Sequence, residues 1–141
     1  MYYFYSKSNK KFCAYSENSV LLKKISNIIN IELEQSLFDN AFNKIEIHPE
    51  YILKKIKKSL SDEIMSSIQE RYISDGVIFS FKIVHFKKMK LILNVRNEVD
   101  NIIFNLILVL DLIEFCIHEN ESFVIERKEH ATPNEILLKM G

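Results

Sequence analysis

Asp111, Glu114 and His118 are the residues whose types and spacing come nearest to chemistry in this sequence. At i, i+3 and i+7 they fall on one side of a helix, and two carboxylates beside an imidazole could begin a metal site. A fourth ligand would have to come from elsewhere, and the sequence nominates none. There is no HExxH, no cysteine pair at zinc spacing and no calcium loop, so no metal or other cofactor is expected. The three residues read instead as an acidic stripe, solvated or turned to a partner. A second chemistry, RNA cleavage, needs an acid/base pair and a cation to hold the phosphate. His85 near Lys87, or His130 beside Glu126 and Arg127, could supply it. Four histidines and nineteen cations in 141 residues produce such neighbours by chance. No serine sits in a nucleophile elbow, and the two glycines, Gly76 and Gly141, build no loop to cradle phosphates.

The element that must position the acidic stripe is the most apolar stretch of the chain. Fourteen of the nineteen residues from Val99 to Ile117 are apolar. At about 100° per residue, Val99, Ile102, Ile103, Leu106, Val109, Leu110, Ile113, Cys116 and Ile117 share one broad face, which predicts a buried helix over 98–118. Asp100, Phe104, Ile107, Asp111, Glu114 and His118 form a mixed stripe, so Phe104 and Ile107 are expected at the surface. Asn97 or Asn94 can cap the start, with Glu98 and Asp100 at the positive end of the dipole and His118 at the negative end. A membrane span would bury Asp111 and Glu114 in hydrocarbon at about 2.5 kcal/mol or more for a central aspartate, so a core helix is the better reading.

Around that helix the sequence predicts a single α+β domain over residues 1–141 with a mainly antiparallel sheet. Tyr2–Tyr5 and Lys11–Tyr15 read as a hairpin, and Lys44–Ile47 as a short strand. Amphipathic helices are expected near 19–29 and 49–72. The first carries Leu21, Ile25, Ile28 and Ile29; the second opens on Pro49 and either runs through or restarts at Ser61. Residues 31–37 fit a helix continuation or a strand. The hairpin 77–95 is the clearest in the chain, with Val77, Phe79, Phe81 and Ile83 on the inner face of one strand and Met89, Leu91, Leu93 and Val95 on that of the next. Lys82, Lys88 and Lys90 then fall on the polar face. Residues 122–128 read as a strand, and Thr132-Pro133-Asn134-Glu135 as the capping box of a last short helix.

Composition narrows function further. Lysine outnumbers arginine 16 to 3, and isoleucine, lysine and asparagine supply 49 residues, a bias of AT-rich coding. Zero net charge argues against a dedicated nucleic-acid binder. The balance hides a dipole: His48–Arg96 has ten Lys/Arg against five Asp/Glu, or +5, and Asn97–Glu129 has two against eight, or −6. Lys54, Lys55, Lys57 and Lys58 make a local basic run on a solvated helix face. Two cysteines, Cys13 and Cys116, in apolar settings read as free thiols of a reducing compartment. The start, MYYFYSKSNKK, does not read as a secretory signal, so a cytoplasmic setting is expected.

A rigid domain with divided charge suits binding of a protein partner, and the expected contact residues are Asp111, Glu114, His118, Glu119, Glu121, Glu126 and Glu129, facing a basic partner. In general character, small, α+β and AT-rich, the chain resembles bacterial toxin-neutralising (immunity) proteins. That resemblance implies stoichiometric capture of a toxin domain rather than catalysis. An RNA-binding or RNA-cleaving protein, using the basic middle segment and the histidines, is the alternative. A homodimeric chaperone or scaffold, joined through Phe104 and Ile107, is a further one.

Overall fold

The computed structural model describes residues 1–15, 20–33, 44–48, 50–71, 81–94 and 96–127. Six strands and three helices follow in the order β1 (Tyr2–Ser6), β2 (Phe12–Tyr15), α1 (Val20–Leu33), β3 (Lys44–Ile47), α2 (Glu50–Gln69), β4 (Phe81–Phe86), β5 (Met89–Asn94), α3 (Glu98–His118) and β6 (Phe123–Arg127). The architecture is α+β. Strands β2-β1-β6-β3 form one antiparallel sheet, and β4 and β5 form a separate two-stranded ribbon.

Alternation divides the four-stranded sheet cleanly. Tyr2, Phe4, Phe123, Ile125 and Ile47 join the main core with all three helices, whereas Tyr3, Tyr5 and Val124 make a small cluster on the opposite face. In the N-terminal hairpin, Ser6 replaces the missing Asn-Gly signal: its buried hydroxyl accepts from the Lys10 and Lys11 amides, and Asn9 takes φ of 63°. Helix α1 buries Leu21, Leu22, Ile25 and Ile29 and runs on through Leu33. Helix α2 is continuous past Ser61, burying Leu53, Ile56, Leu60 and Ile64 at steps of three and four. Pro49, residues 34–40 and the expected C-terminal helix lie outside the described residues.

Helix α3 begins where Asn97 Oδ1 accepts from the Val99 and Asp100 amides, at 3.0 and 3.2 Å. It ends in a left-handed cap: Asn120 has φ of 53°, its amide donates to Ile117 O, and the Glu121 amide donates to Cys116 O. Those two reciprocal bonds are the Schellman pattern, here with asparagine where glycine is usual. By length and composition α3 is apolar enough to cross a membrane, yet here it packs on both other helices, the sheet and the ribbon.

Three expectations are corrected. Ile107 is only 4% exposed and Phe104 packs half-buried against the core, so neither is the surface residue that the mixed stripe predicts, nor the free seam that the homodimer alternative would use. The cause is that α3 touches neighbours on more of its circumference, and Leu112 is buried too. Asp100 is likewise buried, held by Arg71, whose Nε and Nη2 donate to the two carboxylate oxygens at 2.9 and 3.1 Å. In the ribbon, Phe81 and Ile83 face outward. The two-residue loop Lys87-Lys88, with φ of 47° and 67°, pairs Phe86 with Met89 and so turns Val84 and Phe86 inward instead. Lys82 therefore lies across from Leu93, on the inward-facing side of the ribbon, although it is itself exposed at the strand's start.

Removing the Asp100 carboxylate would leave the guanidinium half-buried without its counter-charge. Asp100→Ala is expected to cost about 3–5 kcal/mol by denaturant unfolding. Leu106→Ala should cost about 2–5 kcal/mol through its cavity, whereas exposed Asn101→Ala should cost less than about 0.5 kcal/mol.

Candidate functional site

The exposed edge of α3 lies between two other elements. Asp111, Glu114 and His118 are all exposed along it, and Glu119, the C-cap residue, extends the edge. On one side Lys57 of α2 approaches Glu114, Nζ to Oε1 3.7 Å. On the other side the β1–β2 turn supplies Lys11, whose ammonium lies 5.9 Å from the Phe115 ring centroid.

Asp111 and Glu114 form one wall of a cleft of about 350 Å³. Its other walls are Lys57 and Ser61 from α2 and His85, Phe86 and Lys87 from the ribbon tip, over a floor of Ile107 and Leu110. The structure thus brings together two sets that the sequence analysis kept apart, the acidic stripe and the His85/Lys87 pair. Burial first, and the charge of Glu114 second, push the Asp111 carboxyl above its ordinary range, with Lys11 opposing.

The remaining acids of the expected contact surface have other settings. Glu121 is engaged within the chain: Oε1 accepts from the Ser8 amide at 2.7 Å and Oε2 from the Ser8 hydroxyl at 2.9 Å. It borders a second, open depression of about 480 Å³ with Lys7, His48 and Asn120. Glu126 lies on the sheet face away from the helices, where its Oε2 accepts from the Tyr5 hydroxyl at 2.6 Å. Glu129 and His130 lie outside the described residues. The Ser8 clamp escaped the sequence analysis because it joins residues 113 apart; Asn120, able to adopt a left-handed cap, was the one local signal for it.

Among the described residues no group of three His, Cys, Asp or Glu side chains is placed to hold a metal ion. Burial pushes the Cys13 thiol up to about 11 and the Cys116 thiol up to about 12. Both stay protonated at neutral pH, which makes them poor nucleophiles. No protein-family model, no curated protein and no solved structure matches this chain.

A raised native pKa means the folded protein binds the Asp111 proton more tightly than the unfolded chain does. That advantage is present below the unfolded pKa and is lost as pH rises through the folded one, so ionised Asp111 costs stability at neutral pH. Asp111→Asn should raise the thermal midpoint at neutral pH, and the gain should vanish well below the carboxylate range. An equal shift at both pH values would contradict the assignment.

Proposed function

We propose that the chain is a non-enzymatic protein-binding module of the immunity type, which neutralises a basic toxin domain in the bacterial cytoplasm by stoichiometric capture. The supporting observation is the exposed stripe Asp111, Glu114, His118 and Glu119 on a helix whose other sides are buried. Charges held on a rigid scaffold need little reordering on contact, and they steer an oppositely charged partner. Asp111 adds to this, because a partly desolvated carboxylate beside another is relieved by an arriving cation. Glu121 and Glu126 belong to the margin of the surface. The unpaired thiols Cys13 and Cys116 support the reducing setting.

One observation favours a second reading: the cleft gathers His85, Lys57, Lys87 and Asp111, groups suited to holding a phosphate and moving a proton. In that reading the protein cleaves RNA.

Titration separates the two, since an inhibitor stops acting at a fixed ratio and a catalyst turns over. With a basic partner in hand, Asp111→Lys with Glu114→Lys should slow association about tenfold or more and flatten its salt dependence. Lys58→Glu, on the exposed face of α2, should leave the rate nearly unchanged. Turnover of RNA by substoichiometric protein, lost on His85→Ala, would replace the capture reading with the enzymatic one.

A further inference from the structure

The β4–β5 ribbon keeps an apolar face outside the core. Phe81, Ile83 and Ile92 are 55%, 50% and 49% exposed. The register sets Ile83 across from Ile92, with His85 and Lys90 paired next to them on the same face. Lys87 and Lys88 at the tip join Lys90 as its cations, and residues 81–94 contain no acid. None of these three lysines forms an ion pair among the described residues. Such a face calls for an occupant that is apolar at its centre and anionic at its rim.

The chain carries that complement itself. Along α3, Leu108 is 38% exposed, one turn before Asp111 and nearly two before Glu114. The tip of the ribbon and the acidic stripe of α3 border a single cleft, with His85 and Lys87 on one wall and Asp111 and Glu114 on the other. We infer that a second copy of this chain occupies the ribbon face, in a two-fold dimer where each ribbon lies against the α3 stripe of the other copy. A two-fold arrangement of that kind makes both contacts at once and closes the assembly at two copies. Apolar contact of Phe81, Ile83 and Ile92 with the region of Leu108 supplies the dry centre, and lysine–carboxylate pairs form the rim.

This inference stands independently of the toxin-capture reading, and its assay contains no foreign partner. Sedimentation equilibrium of the full chain should give a dimer at low salt that weakens as salt rises. Ile83→Ser with Ile92→Ser should halve the mass while circular dichroism stays unchanged. Lys87→Glu with Lys90→Glu, and separately Asp111→Lys with Glu114→Lys, should each give a monomer. Mixed together, those two reversed chains should form a one-to-one dimer, because every ribbon then meets a stripe of opposite sign. A wild-type monomer at all concentrations and salts would overturn the inference and leave the ribbon to a foreign acidic partner. So would a dimer indifferent to both reversals, or reversed chains that stay monomeric when mixed.

Discussion

The Arg71–Asp100 clamp is the interaction that the rest of the arrangement depends on. Arg71 follows the end of α2 and Asp100 sits in the first turn of α3, and their bidentate pair is nearly closed to solvent. The same guanidinium donates to Ile92 O at 2.6 Å, and Asp100 Oδ2 also accepts from the Asn94 amide at 2.8 Å. Burying two charges is costly, and these further hydrogen bonds to backbone groups help to offset that cost. One carboxylate thus ties α2, the end of β5 and the start of α3 into a unit. It also sets the phase of the ribbon. A one-residue slip of β5 would move Leu91 and Leu93 out and Ile92 in, and the bonds to Ile92 O and Asn94 N oppose that slip.

Most elements were legible because each has one dominant period and local punctuation. The hairpin at Tyr2–Tyr15 and the strand at Phe123–Arg127 are short runs rich in aromatic and β-branched residues, the short strand at Lys44–Ile47 alternates, and Asn97 caps α3 as its position suggests. The inner face of β4 was not legible, since Phe81 and Ile83 in one phase compete with Val84 and Phe86 in the other. What decides between them is a mirror-image turn built from two lysines, residues that rarely advertise positive φ.

For α3 the difficulty was of another kind. A helix apolar on nearly all sides has no single stripe to read, so its buried set depends on what surrounds it. Ile107 and Leu112 are buried because neighbouring elements reach them, and Asp100 because Arg71 does. The acidic half of the candidate site followed from helical spacing. Its meeting with Lys57 and His85 did not, because those contacts span more than a dozen residues of sequence and depend on tertiary packing.

Asp111 and Glu114 belong to both the proposed capture surface and the inferred dimer, and that double use would have a physical consequence. A surface committed to a second copy is not open to a toxin, so self-association and capture exclude each other, and each lowers the apparent affinity of the other by mass action. The partner need not match the ribbon contact for contact. It would have only to offer cations at the stripe while the dimer is open, a state that salt favours by screening the rim and dilution favours by mass action. On those two proposals together, the isolated domain would keep its exposed apolar residues covered when no partner is present and release the acidic stripe to a more strongly basic competitor, so that the two charged halves of a neutral chain would act as one reversible cover and one binding surface.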